Sequence, residues 1–334
     1  MIVCLSFSDG ILDVTDDEFY DRKLTDKLRY QLNLRYNEIA SIESNEFSNA
    51  IREIAGDEFV YLRLQEMIGI CLSAASTDSI IYIQSENLRL ASVFTKFLTS
   101  VFDEDYISFV SVKDLEKQFR TSCVVGKKLL ISAKEGESIV NDVENLLRIV
   151  DGDGLIAENK GCAPYNFIAN STVICAGRRF PRLKSGCFEE ISSFVARVVL
   201  QGHMPSNMSL RKLLTYRADF VKWAIDGLRR FLIQDEYTSA PGCEIISDYD
   251  SFKSFNDKCI VRDNESNLTS SEIADKYMSF CDDEGYEKGA ISDLISYMRD
   301  RYSTKSSSVR RKDENGSSHV VSGYKGIGFV DDDI

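Results

Sequence analysis

The sequence predicts an α/β fold followed by a smaller domain of helices and a β-hairpin, and three features support this prediction. A short apolar run at residues 80–83 leads through a polar turn into an amphipathic helix. Apolar runs then alternate with amphipathic helices as far as about residue 201, which is the pattern of a sheet covered by helices. In the last part of the chain, two helical segments precede Asn315-Gly316, a strong hairpin signal.

Bulk properties limit the class of protein. The 334 residues are 43% hydrophobic, which is enough for about two or three domains with buried cores. The nine cysteines form no C-x-x-C pair and only His203 and His319 could join them, so we expect reduced core cysteines and no metal site. No run is long enough to span a membrane and no signal peptide is present, so a cytoplasmic protein without a membrane partner is expected. A net charge of −13 argues against coating nucleic acid with the whole surface, so any DNA contact must be local.

Residues 1–75 are predicted to form a helical, collar-like region after a short first strand. Apolar residues recur at helical spacing over residues 24–32 and 47–54, and residues 58–69 lead into the first strand of the core. This pattern is more typical of a helical collar than of a catalytic unit.

Residues 76–245 are predicted to form the α/β core, and its first strand, turn and helix have the architecture of a phosphate loop. A working loop has the pattern G-x-x-x-x-G-K-[ST], in which glycines let backbone N–H groups reach the phosphates, the lysine binds them and the hydroxyl binds Mg²⁺. Here those four positions are filled by Ile83, Leu88, Arg89 and Leu90. An ordinary strand–turn–helix is the competing interpretation.

Residues 246–334 are predicted to form a winged-helix domain, after a polar stretch from residue 241 to about residue 263 that suggests a linker. Thr269-Ser270-Ser271-Glu272 is a capping box that begins one helix, and a second helix has its apolar residues at i, i+3, i+4 and i+7 from Ile291. Two β-prone runs then flank the Asn-Gly turn.

Four segments add a family resemblance. They are residues 147–160 (LRIVDGDGLIAENK), 171–181 (STVICAGRRFP), 223–232 (WAIDGLRRFL) and 324–329 (YKGIGF). In order and spacing they resemble the superfamily 3 helicase part of the primase–helicases of the poxvirus type and of phages and plasmids. The resemblance covers about residues 50–330 and implies a P-loop NTPase-like core of the AAA+ class.

Within that resemblance the nucleotide loop departs from the family pattern. Asn87 matches the loop asparagine and Arg89 replaces the lysine with its charge kept, but Leu90 has no hydroxyl for magnesium. Ile83, Ser85 and Leu88 stand where glycines are expected. Since a non-glycine residue at positive φ costs about 1–2 kcal/mol, the loop should adopt another shape.

The other catalytic positions depart as well. The acidic group after the second core strand is replaced by Lys134 in one register, although Glu135 could serve in the other, and a solvated loop is the alternative. Arg178 takes the place of the sensor asparagine, and a guanidinium cannot orient a water as an amide does. Glu189 and Glu190 stand in the arginine-finger region, where carboxylates would repel a γ-phosphate unless they are simply surface residues.

Five cations are candidates for DNA contact. Lys160 matches the lysine of the family's pore hairpin, and Arg299, Arg310, Arg311 and Lys312 fall where a recognition helix ends and a wing begins. A merely solvated position is the alternative for each of them.

The leading hypothesis is a catalytically inactive helicase homologue that acts as a DNA-binding, assembly or regulatory subunit in replication of a phage, plasmid, integrated element or virus. Its partners would be DNA and either itself or an active helicase or other replication protein, without ATP, Mg²⁺ or another cofactor. One alternative is a divergent ATP-dependent DNA helicase that uses Arg89 and Glu135 with ATP and Mg²⁺. A second alternative is an initiator that binds a replication origin through the winged helix.

Overall fold

The chain folds into two compact units, Met1–Ile245 and Ile246–Ile334. The computed structural model describes residues 3–23, 28–42, 45–73, 78–133, 140–181, 183, 187–243, 251–284, 286, 288–302, 307–312 and 318–330. Each unit contains its own cluster of buried apolar side chains. Among the described residues, no helix combines the length and the hydropathy needed to cross a membrane.

The first unit begins with a three-stranded antiparallel sheet in the order β1-β2-β3. Its strands are β1 (Cys4–Phe7), β2 (Gly10–Asp13) and β3 (Glu18–Tyr20). The short first strand predicted at the start of residues 1–75 agrees with β1, whereas the helical prediction differs from the structure at β2 and β3 and in the described part of residues 24–32. In that segment, Tyr30 packs against Tyr106 and donates its hydroxyl to Lys127 O at 3.1 Å, and Leu32 forms an isolated bridge with Phe102. These long-range contacts outweigh the local helical spacing.

Three helices complete the N-terminal part: α1 (Tyr36–Ile39), α2 (Asn45–Ala55) and α3 (Glu58–Leu72). α2 and α3 lie where helical spacing predicted them. Asp57 caps α3, since its Oδ1 accepts the backbone N–H groups of Phe59 and Val60 at 2.8 and 3.1 Å.

The core of the first unit is a five-stranded parallel sheet in the order β10-β4-β9-β6-β5. The strands and helices of this part of the chain, in order, are β4 (Ile80–Gln84), α4 (Leu88–Val101), β5 (Ile107–Phe109), β6 (Leu129–Ala133), α5 (Glu144–Asp151), β7 (Gly154–Ala157), β8 (Tyr165–Ile168), β9 (Thr172–Gly177), α6 (Cys187–Ile191), β10 (Val195–Val199), α7 (Leu210–Leu213) and α8 (Arg217–Gln234). β7 and β8 pair with each other outside the five-stranded sheet. The prediction of an α/β protein is confirmed at this level. The central strands β4 and β9 are buried almost throughout, which explains their nearly continuous apolar sequences.

α3 and α8 pack together around an ion pair whose carboxylate is fully buried. The Glu66 side chain is fully buried, and its Oε1 accepts from Arg230 Nε at 2.6 Å. Thr238 donates its backbone N–H to Glu66 Oε2 at 2.7 Å, and Arg230 Nη2 also donates to Gln65 Oε1 at 2.8 Å. Because the carboxylate is paired and hydrogen-bonded, its burial is compatible with a stable core.

The second unit contains α9 (Ser251–Cys259), β11 (Ile260–Thr269), α10 (Ser270–Glu284), α11 (Ile291–Tyr302), β12 (Ser307–Lys312) and β13 (Ser318–Phe329). The three strands form an antiparallel sheet in the order β11-β13-β12. The capping box at the start of α10 is present, because Thr269 N–H donates to Glu272 Oε2 at 2.7 Å and Glu272 N–H donates to Thr269 Oγ1 at 3.1 Å. Residues 251–263 are helix and strand rather than the suggested linker, since Phe252, Phe255 and Ile260 anchor them in the core.

Candidate functional site

The candidate nucleotide site is the connection between β4 and α4, here called the β4–α4 junction, which consists of Ser85, Glu86 and Asn87. Asn87 is the N-cap of α4, and its Oδ1 accepts the Arg89 N–H at 3.0 Å. The Asn87 carbonyl accepts the Leu90 N–H at 2.9 Å. No residue of the junction has a positive φ. The chain therefore passes from strand to capped helix without the left-handed turns that a glycine-rich loop uses.

Of the positions that the resemblance assigns to glycines and to the hydroxyl, Ile83, Ser85 and Leu90 are buried, and Leu88 is half-buried. Ile83 lies inside β4, is fully buried, and pairs with Ala176 of β9 and Val198 of β10. Leu90, in the place of the magnesium-binding hydroxyl, is 1% exposed. An apolar side chain buried in this way offers no ligand for Mg²⁺, which is bound by oxygen atoms.

Arg178, at the position of the sensor asparagine, fastens the junction to the end of β9. Its Nε donates to the Glu86 carbonyl at 2.9 Å, and its own carbonyl accepts from Gln84 Nε2 at 2.9 Å. The Ser85 N–H donates to the Gly177 carbonyl at 3.0 Å. These three hydrogen bonds hold the junction against the neighbouring strand β9.

Three of the backbone donors that could bind a phosphate are already used. The Asn87 N–H donates to Ser85 Oγ at 3.2 Å, and the Ser85 and Arg89 N–H groups are engaged as described. An anion site at a helix N-terminus depends on free N–H groups that converge on the ligand. Arg89, the second residue of α4, is exposed. A surface cation therefore lies next to the junction, without a glycine-rich loop around it.

For the acidic group expected after the second core strand, the structure describes only the strand itself. β6 ends at Ala133, and Lys134 and Glu135 lie outside the described residues. One polar side chain of β6 was missed by sequence analysis: Ser132 is 2% exposed, and its Oγ has no hydrogen-bond partner among the described residues. In the sequence it looks like any serine in an apolar strand.

The arginine-finger region forms the short helix α6. Glu189 and Glu190 both belong to it, and Glu190 is exposed. α6 follows shortly after β9, and Cys187 at its start donates its thiol to the Asn141 carbonyl at 3.5 Å.

Lys160, which the resemblance assigns to the pore hairpin, lies on a β-hairpin in the structure. β7 and β8 pair in antiparallel fashion, and Lys160 is exposed in the loop between them. The turn is closed by the Cys162 N–H, which donates to the Asn159 carbonyl at 2.9 Å. Thr121 Oγ1 donates to the Ile156 carbonyl at 2.7 Å, which ties the hairpin to the body of the unit. Lys160 has no ion-pair partner within the described part of the chain.

The remaining DNA candidates belong to the second unit. Arg299 is exposed in the last turn of α11, and Arg310 is exposed on β12. Arg311 and Lys312 continue β12 opposite His319 and Ser318 of β13, and their side chains lie outside the described parts. Two exposed guanidinium groups are therefore placed on the helix and strand to which the sequence assigned them.

A buried lysine, also missed by sequence analysis, lies just before β6. Lys128 is 1% exposed, and its Nζ donates to Thr172 Oγ1 at 3.1 Å. Burial lowers the pKa of Lys128 to about 8 and raises the pKa of the Cys71 thiol to about 12. Both groups lie in the core, where they bear on stability.

Comparisons with known proteins leave the family open. No protein-family model matches this chain, and no curated protein matches it. Among solved structures, the A-form apo structure of the NrS-1 C-terminal region has a TM-score of 0.40 and 10% sequence identity, covering 85% of this chain and 76% of that chain. The apo structure of the NrS-1 C-terminal region (305–718) has a TM-score of 0.41 and 11% identity, covering 86% and 76%. These scores are too low to support a functional argument.

Proposed function

We propose that this chain is a catalytically inactive homologue of superfamily 3 helicases that serves as a DNA-binding and assembly subunit in replication of a phage, plasmid, integrated element or virus. The observation that carries the proposal is the β4–α4 junction. It lies where the family places its nucleotide loop, yet the N–H groups of Ser85, Asn87 and Arg89 and the neighbouring Arg178 side chain are bonded to the chain itself.

The strand order supports a P-loop NTPase-like core. β4, β9 and β6 are adjacent and parallel, so their carboxyl ends meet at one edge of the sheet. Ligands of open α/β sheets bind at that edge. The resemblance assigns the loop, the sensor and the acidic group to the ends of these three strands, and this arrangement would bring them together.

Loss of catalysis is supported by four residues in three separate motifs. Leu90 is buried and cannot bind Mg²⁺, Arg178 is bonded to Glu86 instead of orienting a water, and Glu189 and Glu190 would repel a γ-phosphate. A change at one position could be compensated elsewhere. Three changes remove metal binding, water positioning and charge stabilisation together.

DNA binding is supported by the placement of the cations. Lys160 is exposed on the β7–β8 hairpin. In the second unit, the order α9, β11, α10, α11 and then a two-stranded hairpin favours a winged helix, with Arg299 and Arg310 exposed on α11 and β12. Exposed arginines and lysines on such elements are suited to phosphate contacts.

Two titrations of the full chain test the proposal. Calorimetry with ATP and a non-hydrolysable analogue, each with Mg²⁺, should show no binding, and fluorescence anisotropy with labelled DNA should show salt-dependent binding. Tight Mg²⁺-dependent ATP binding that is lost in Arg89→Ala would instead establish the divergent helicase. A strong preference for one site in footprinting of the replicon's DNA would favour the origin-binding initiator over an assembly subunit.

A further inference from the structure

A cavity of about 140 Å³ lies among α2, α3 and α8 of the first unit. None of its lining residues belongs to the β4–α4 junction or to the β7–β8 hairpin, so the function proposed above makes no use of it. Three of its nine lining residues are aromatic, the others include the polar Ser48 and Gln65, and its charged groups all come from α8.

The aromatic wall is formed by Phe47, Tyr61 and Trp223. The Phe47 and Trp223 ring centroids are 6.1 Å apart at an interplanar angle of 76°, and those of Tyr61 and Trp223 are 5.9 Å apart at 60°. The Arg52 guanidinium lies 4.3 Å from the Tyr61 ring centroid, so this ring already holds one cation. Faces of tryptophan and tyrosine attract cations through the ring quadrupole.

The charged side chains of the cavity differ in whether they have an ion-pair partner. Asp219, Lys222 and Asp226 share one face of α8, and Lys222 Nζ lies 2.8 Å from Asp226 Oδ1. Arg229 Nη1 contacts the same carboxylate at 3.2 Å. Asp219, by contrast, has no hydrogen bond or ion pair within the parts of the chain that the structure describes. The three charges that line the cavity therefore sum to a net negative charge, with one carboxylate left over.

A second group at the cavity also lacks a partner. Trp223 is 3% exposed, and its indole Nε1–H has no acceptor among the described residues. A buried donor without an acceptor is costly, and such groups are normally satisfied by water or by a ligand.

We propose that this cavity binds a small organic cation, an alkylammonium or guanidinium group. The Asp219 carboxylate would pair with the cationic head, the aromatic rings would enclose its apolar part, and the indole N–H would donate to an oxygen where the ligand carries one. An engineered cavity of roughly 150 Å³ takes up benzene, which sets the size at about six non-hydrogen atoms. The net negative lining disfavours anions. The cation could come from a free amine or from a lysine or arginine side chain of another protein.

The chain provides its own reporter, because Trp223 is its single tryptophan. Titration of the full chain with n-butylammonium, followed by Trp223 fluorescence, should saturate with a Kd of about 1 mM, as expected for so small a ligand. n-Butanol, the neutral match, should bind at least about ten-fold more weakly, because it lacks the charge that Asp219 pairs with.

Variants separate binding from folding. Asp219→Asn should weaken n-butylammonium binding about ten-fold, and Asp219→Glu, which keeps the charge, should restore most of it. Asp300→Asn, at an exposed position on α11, should bind like the parent chain. Thermal melts compare the folding of all three. Equal binding by the parent chain and the folded Asp219→Asn variant would overturn the proposal.

Further probes distinguish the two sources of the cation. Ethanolamine should bind more tightly than ethylammonium if the indole N–H donates to its oxygen. A Gly-Gly-Arg-Gly-Gly peptide that binds better than ethylguanidinium, with Gly-Gly-Gln-Gly-Gly inactive, would indicate a protein side chain. The reverse order would indicate a free small cation. Absence of any fluorescence change with all of these cations would show that the cavity holds water only and would refute the proposal.

Discussion

The β4–α4 junction and the β7–β8 hairpin use their polar groups in opposite ways. At the junction, the N–H groups of Ser85 and Asn87 and the Arg178 Nε are bonded within the chain. On the hairpin, Lys160 is exposed and has no ion-pair partner among the described residues. Polar groups that are already bonded stabilise the fold, whereas a free exposed cation costs the fold little and remains available to a ligand. This contrast separates residues whose substitution should change stability from residues whose substitution should change binding.

The largest effect is expected where a bonded polar group is also fully buried. Glu66→Ala leaves the partly exposed Arg230 guanidinium without its carboxylate and the Thr238 N–H without its acceptor, so unfolding free energy should fall by about 3 kcal/mol. Urea denaturation measures the change. The exposed Glu236→Ala serves as the matched control and should change stability by less than about 0.5 kcal/mol. A small loss at Glu66 would show that burial and bonding do not distinguish the two classes of residue.

Substitution of Lys128 should have the opposite effect and raise the free energy of unfolding. Its pKa of about 8 lies below the ordinary lysine value of 10.5, so between these pH values the unfolded chain binds more protons and stability should rise with pH. Lys128→Met removes the cost of burying the charge. At pH 7 the variant should be more stable by about 3 kcal/mol, and its advantage should shrink as pH rises from about 8 toward 10.5. Denaturation curves at several pH values check this, and a constant difference would contradict it.

At the junction itself, Asn87 should behave as a helix cap and not as a nucleotide ligand. Asn87→Ala should cost about 1 kcal/mol of stability, while Asn87→Asp, which caps equally well and suits the helix dipole, should cost almost nothing. Thermal melts of both variants measure this. If Asn87→Asp proved as damaging as Asn87→Ala, the side chain would have a role beyond capping.

A substitution on the β7–β8 hairpin should have little effect on stability and a measurable effect on DNA binding. Lys160→Ala should leave the melting temperature unchanged, weaken DNA binding by about 1 kcal/mol, and reduce the slope of log affinity against log salt by about one. Lys96→Ala, at an exposed lysine of α4, is the matched control. An unchanged salt dependence in Lys160→Ala would remove the hairpin from the DNA contact.

The comparison also explains which parts of the structure could be predicted. The core strands were predictable because burial on both faces forces continuous apolar runs such as residues 80–83, and the capping box at Thr269 was predictable because its hydrogen bonds are local. β2, β3 and the segment around Tyr30 were mispredicted as helical, because their conformation depends on pairing and packing that local spacing does not show.

The site shows the same division between local and distant contacts. The cap at Asn87 follows from neighbouring residues and could be expected from sequence. The bond from Arg178 to the Glu86 carbonyl joins two strand ends about ninety residues apart and required the strand order, as did the burial of Lys128 and the cavity beside Trp223.

The burial of Leu90 and Ile83 would make a phosphate-binding loop costly to build at this place. Leu90→Ser would exchange a packed side chain for a void and an unsatisfied hydroxyl, and substitutions of this kind typically lower stability by about 2–5 kcal/mol. Ile83→Gly would weaken a central strand in the same way. Each single change toward such a loop would therefore lower stability before it created a site, so selection acting on one mutation at a time would oppose all of them.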